Sequence, residues 1–543
     1  MADTDIDKLE RRVSQMVAQR QPLEYNWQEA FQYLAPERSL GWQGTSVPDS
    51  TNTTALRARI YDDTAIDACE VLKSTILAGT TPANSLWFNL DAGQNGERET
   101  AWMDGATEFI FTNIHASNFD TASNECLSDE IPAGWMVMYI EQARDTNGNL
   151  IGGYNFQSWP LNQCYIACSK PGGIVDTIAR IFTPTVEQMV SEYGYKNLSD
   201  ETKKKFDDGL YTSTVEVAWV IEPNRNAKGI LAKNLPFKST HYERTTRKII
   251  RESGYEEFPC AVPRWSSIPG TPYATGMGSK VLPTTKTLNQ LEALELKNLD
   301  IAVNGMWKAA DDGVLNPRTV RIGARQIIMV ADVNNLVPLT TGVDFNIAFA
   351  KADDLRQQIR RIMMTDQLTP AGGPVRSATE IQRDVNQVRT LLSPILSRQN
   401  PEYLQVVIER CFGIALRSGA LEEELGPIPE GLLGKDYTIR YISPLARSQK
   451  MEEVNAIDVF MAGIGQLAAA KQDPTVWDNI KVDESQYEKG LALGVPSTLL
   501  RGPEELQEKR QLDMQVKQDQ EQAAQEEAVE AQATQAVLQP EAA

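Results

Sequence analysis

The chain has 543 residues, 41% of them hydrophobic, enough for a packed core and too many for one compact domain. Its net charge of −20 argues against a broad face gripping DNA phosphates, although an acidic wall would suit a channel through which a duplex slides; solubility is the plainer reading. No run approaches the ~20 apolar residues of a membrane span, and the opening MADTDIDKLE has no signal-peptide core, so the chain is expected in the cytoplasm until it joins an assembly.

In chain order, Lys8 to Leu34 reads as a helix: Leu9, Val13, Met16, Trp27, Phe31 and Leu34 recur at helical spacing, and Pro36 marks its end. A Ser/Thr/Asn-rich loop, Thr45 to Thr54, precedes a second expected helix over Ala55–Leu77, stopped at Gly79. Trp135 to Ile140 and Thr214 to Ile221 read as strands and Pro184 to Tyr193 as a short helix, giving an α+β first half.

After Pro283, Leu288, Leu291, Leu294, Leu299 and Ala302 lie on one helical arc. The stretch 304–350 breaks that pattern: Arg318 to Ala331 alternates as a strand would, between turns at Asn316-Pro317 and Asn334-Asn335. A helix over Lys351–Thr365 must stop before Thr369-Pro370-Ala371-Gly372-Gly373-Pro374. Ser377-Ala378-Thr379-Glu380 has the form of a capping box, opening a long helix with an apolar stripe of Ile381, Val385, Val388, Leu392 and Ile395. Asn400-Pro401 restarts a helix that ends at Gly419, and 446–471 is helical again. The tail from Pro503 holds ten Gln, ten acidic and three basic residues, a helix that would order only beside others.

Enzymatic constellations are missing from this pattern. There is no phosphate loop, nucleophile elbow or H-E-x-x-H helix, and only two histidines, His115 and His241, are available to a triad. The acid pairs Asp62-Asp63, Asp311-Asp312 and Asp353-Asp354 read as solvated or helix-starting residues rather than metal ligands. Six scattered cysteines, Cys164 and Cys168 among them, read as reduced structural thiols. No catalytic residue, metal or cofactor is expected.

Six segments stand out in order: Trp27–Pro36; Ile60–Ala65 with Ala78–Leu90; Gly173–Thr177 with Arg180–Phe182; Leu282-Pro283 with Lys286–Asn289; Ser377–Ile381; and Gly494–Pro496. Together they give the chain a resemblance to the portal, or head-to-tail connector, family of short-tailed double-stranded DNA phages. The chain departs at Pro272–Gly278, where a Tyr-Gly-Arg-Gly-Pro-like run would be expected.

The resemblance implies a mostly helical α+β portal fold, assembled as a ring of twelve subunits at one capsid vertex. It divides the chain into a wing (1–278), a first stem helix (279–303), a clip (304–350) and a second stem helix (351–365). A tunnel loop (366–376), a long helix with the rest of the wing (377–445), a crown (446–502) and a barrel helix (503–543) complete it. It implies a structural role in packaging and ejection, with double-stranded DNA passing through without sequence-specific contact. The implied partners are the terminase motor, a tail adaptor, and the major capsid and scaffold proteins; no membrane is involved. The protein would be made in the host cytoplasm and reside in the virion. Within that scheme Asp366, Leu368, Pro370, Gly372, Gly373, Pro374 and Arg376 would line the narrowest point, and Arg318, Arg321 and Arg325 would dock partners. The alternative is a capsid scaffold or tail adaptor with no DNA channel.

Overall fold

The computed structural model describes residues 5–39, 42, 57–91, 97–144, 150–225, 227, 234–304, 307–309, 336–338, 345–368, 397–432, 438–441 and, from 454 to 510, a few helical residues. The chain divides into two compact units, Met1–Asn84 with Glu108–Pro427, and Ser85–Thr107 with Ile428–Ala543.

The first unit is built from long helices and two larger antiparallel sheets, with two short two-stranded pairs besides. Helix α1 spans Asp5–Leu34 and continues through Pro22, and it buries the stripe anticipated for it: Val13, Met16, Trp27, Phe31 and Leu34. Helix α2 spans Thr64–Thr80. Its expected start at Ala55 is corrected: residues 60–63 are not helical, and the Asp62 side chain accepts the Thr64 N–H at 2.9 Å, fixing the helix start there. Helix α3, Phe119–Ala133, ends at Gly134, whose φ of 89° is the left-handed closing conformation that glycine adopts without strain.

Strands β1 (Met138–Arg144) and β2 (Leu150–Ser158) form a hairpin that β8 (Cys260–Ala261) extends on the β1 side. A second sheet runs in simple order through β3 (Cys164–Ala167), β4 (Thr177–Phe182), β5 (Val217–Pro223), β6 (Phe237–Glu243) and β7 (Lys248–Tyr255). The strand expected from Trp135 starts at Met138, because Trp135 makes only an isolated bridge with Arg264. The expected short helix is Val186–Tyr193, closed by a reciprocal Thr185–Gln188 capping box.

An aromatic core joins these layers. Trp27 and Phe31 of α1 pack with Trp135, Tyr139, Trp159 and Tyr273, and the Trp27–Tyr273 and Trp135–Tyr273 centroids both lie 5.4 Å apart. Arg20 is buried on the same helix. It pairs with Glu24 one turn on at 2.6 Å, donates to the carbonyls of Leu161, Asn162 and Cys164 and lies 3.9 Å over the Tyr165 ring, so its charge is met by a carboxylate and a carbonyl-rich turn together. Helices α4 (Met277–Asn304) and α5 (Phe345–Ile362) form a long pair, and α6 spans Gln405–Arg417.

In the second unit, Phe88–Asp91 pairs antiparallel with Thr438–Tyr441. The Thr107 hydroxyl ties this strand by donating to Asn89 Oδ1 and accepting the Leu90 N–H at 3.1 Å.

Candidate functional site

The helix pair α4/α5 and its root carry the geometry most relevant to function. α4 starts on a backbone-to-backbone contact. A Cβ on Gly276 would stand 2.5 Å from the Ile131 carbonyl oxygen, and one on Gly278 2.6 Å from that of Pro132. No side chain fits at either position, so the glycines at 276 and 278 let α4 begin directly against the end of α3.

Further along α4, Lys286 pairs with Glu29 of α1 at 2.9 Å. The Asn289 side chain then uses both ends of its amide: Oδ1 accepts the Tyr61 N–H and Nδ2 donates to the Arg59 carbonyl, each at 2.7 Å. The Ile60–Ala65 and Lys286–Asn289 segments, far apart in sequence, therefore meet in one contact.

Arg356 of α5 closes the root. Its guanidinium donates to Asp62 at 2.8 Å, to Glu292 of α4 at 2.5 Å and to Asp353 at 2.9 Å. Burial works against the Asp62 charge, but the bonds from Thr64 and Arg356 outweigh it and hold this carboxyl below its usual range. Burial raises Glu292 instead, with Arg356 opposing. One member of each of two acid pairs noted in the sequence, Asp62 and Asp353, thus meets the same arginine. Among the described residues no group of three or more His, Cys, Asp or Glu could hold a metal.

A family model for the bacteriophage head to tail connecting protein matches residues 6–500. The chain belongs to that family. The connector is also similar to the portal protein of Salmonella phage epsilon15, at 28% identity over 93% of this chain and 91% of the relative. It is similar to the probable portal protein of Bordetella phage BPP-1 at 24% identity, covering 90% and 87%. A chain from the neck of an empty GTA particle aligns over 76% of the connector and 91% of itself, with 12% identity and a TM-score of 0.32, too slight a likeness to bear on the fold. The mostly helical α+β class and the portal resemblance both stand.

Away from the root, α4 and α5 expose apolar side chains. Leu294, Leu296 and Leu299 of α4 are 56%, 51% and 54% exposed, and Phe349 of α5 is 57% exposed. The helix read as 279–303 runs Met277–Asn304 and passes through Pro283, because burial of Val281, Leu282 and Leu288 outweighs one missing backbone bond. The helix read as 351–365 runs Phe345–Ile362, so its first turns belong to what was assigned to the clip. It stops at Met364, whose φ of 62° turns the chain into a new helical turn, Thr365–Leu368. Asp366 and Leu368, expected in a loop, lie on that turn, with Asp366 exposed.

Pro370, Gly372, Gly373, Pro374 and Arg376 fall outside the described residues, as do Arg318, Arg321 and Arg325, the 377–380 capping box and most of the tail. Between α4 and α5, Trp307–Ala309 and Leu336–Pro338 pair as antiparallel strands. The break expected at Asn400-Pro401 is instead a π-helical turn, Asn400–Leu404, inside a helical run that is continuous over 397–417 and includes α6; the wider turn accommodates a proline with no N–H to donate.

Sequence reasoning passed over a buried polar cluster on this run. Glu402, 5% exposed, accepts two bonds from Arg264, at 2.5 and 3.0 Å, and the same guanidinium donates to the Gly173 carbonyl at 2.9 Å. Gln399 donates to the fully buried Glu130 of α3 at 2.5 Å. Neither pair has a local sequence signal, since its partners come from distant segments. Of the two histidines, His115 faces Asp120 at 3.0 Å and His241 stacks on Trp219, bonded to the Tyr193 hydroxyl. Burial pushes His241 down to about 3, so it stays neutral at physiological pH. All six cysteines are free and all but Cys168 are buried; burial pushes the Cys164 thiol up to about 12.

Proposed function

We propose that copies of this connector form a ring, of twelve subunits, whose α4/α5 pairs surround a channel for double-stranded DNA at one capsid vertex. The observation that carries this reading is that Asn289 and Arg356 tie that helix pair to the 59–62 segment, in a chain that belongs to the head-to-tail connecting family. A long pair anchored at Asn289 and Arg356 and exposing Leu294, Leu296, Leu299 and Phe349 suits side-by-side repetition in a ring. The role is structural rather than enzymatic. The clip would dock the terminase motor and later the tail adaptor, the wing would meet the major capsid and scaffold proteins, and residues 503–543 would extend the channel as a barrel.

Residues 366–376 are proposed as the constriction. Electron micrographs of the purified connector should show rings with a central hole. Deleting Leu368 to Pro374 and bridging the gap with two glycines should leave rings intact and impair packaging or DNA retention. Full genomes packaged and held at normal yield would reduce the segment to a connection between helices. A monomer with no hole would favour the scaffold or adaptor alternative.

A further inference from the structure

Glu130 lies on α3 with its side chain wholly inside the first unit. One carboxyl oxygen accepts the Gln399 amide at 2.5 Å, and the other has no hydrogen-bond partner among the described residues. A buried carboxylate held by a single neutral amide is expensive to ionise.

Among the described residues no cation pairs with that carboxyl; Arg398, beside Gln399, lies 4.0 Å from Glu402. From the π-helical turn, Glu402 faces Glu130 and opposes its ionisation, while Glu402 itself is taken up by Arg264 from the segment after β8. Tyr403 on the same turn is bonded to Ser123 of α3 at 2.9 Å. The other charges around α3 are engaged elsewhere: Asp129 with Arg38 from the turn after α1, and Lys73 of α2 with Glu70. α4 meets the end of α3 through the Gly278 backbone.

We propose that Glu130, buried beneath the 397–404 helical segment, acts as a proton-controlled latch between that segment and α3: packed when the carboxyl is neutral and loosened when it ionises, because the cost of a buried charge exceeds what the stronger bond from Gln399 returns. Burial, opposed by the Gln399 bond and reinforced by Glu402, brings the Glu130 carboxyl up to about 7 from its usual 4.5. With the folded value raised, the added stability is complete below 4.5 and is lost as pH rises through about 7.

Amide hydrogen exchange of peptides covering 397–404 in the full-length assembled protein tests the latch, after correction for intrinsic exchange. Protection in the wild type should fall at least about tenfold between about pH 5 and the folded value, then level off. Glu130→Gln should give a profile without that fall. Gln399→Met removes the one bond favouring the charged form, so levelling should move to higher pH. Identical profiles for wild type and Glu130→Gln would overturn the latch. So would an unmoved levelling point in Gln399→Met, which decides the matter alone if the Glu130 variant does not assemble.

Discussion

Replacing Arg356 with methionine keeps the bulk of the side chain and removes its charge. Two of its three partners, Asp62 and Glu292, have side chains only 8% and 17% exposed, whereas Asp353 is 69% exposed and should contribute little. Hydrogen bonds to charged groups contribute about 1.5–3 kcal/mol each, and the guanidinium is itself about a third exposed, so we expect a local loss of about 2–3 kcal/mol. In exchange terms that is roughly 30- to 150-fold faster opening at the root. The amides to follow are Tyr61 and Thr64, which donate to Asn289 and Asp62.

Combining Arg356→Met with Asp62→Asn should cost less than the sum of the single changes, because the neutral amide no longer needs the arginine; the coupling should be about 1 kcal/mol or more. The contribution also has a pH sign. The folded Asp62 lies below its usual 3.8, so its stabilisation is present above that value and lost as pH falls through the lower folded one. Exchange at Thr64 within twofold of wild type in Arg356→Met, or strict additivity with Asp62→Asn, would refute the clamp.

Gly276→Ala should destabilise the junction of α3 and α4 by about 1–3 kcal/mol, since backbone atoms at 2.5–2.6 Å would have to move; thermal unfolding would show it, with Gly463→Ala, which meets nothing within 4 Å, as the neutral control. Glu402→Gln strands the Arg264 charge where both partners are about 95% buried, and should cost about 3–5 kcal/mol in chemical denaturation. Replacing both partners, Arg264→Met together with Glu402→Met, should recover much of that loss, because no charge is then left buried without its partner. Charge reversal at Arg318 and Arg321 should leave rings intact and abolish packaging or tail attachment, scored by counting filled heads and complete particles; normal particles would end the proposed docking role.

What the sequence by itself determined is the local and periodic part. Helical stripes named the buried residues of α1, local pattern named a short helix over 184–193, and paired motifs along the chain pointed to the connector family. These features depend on neighbours within a few residues, so they can be read in one dimension. Tertiary structure decided where elements begin and what their polar residues do. The sequence treated Asp62 as a member of an acid pair; only the fold brings Arg356 to it from 294 residues away. Pro283 and Pro401 look like helix breakers, yet burial on α4 and a π-helical turn carry the chain through both. Gly276 and Gly278 look like an ordinary flexible turn until the end of α3 is seen pressed against them. Glu130 and Gln399, which carry no signal in their own helices, meet only because α3 and the 397–404 segment pack face to face. Burial then converts an ordinary glutamate into a group that titrates near neutrality.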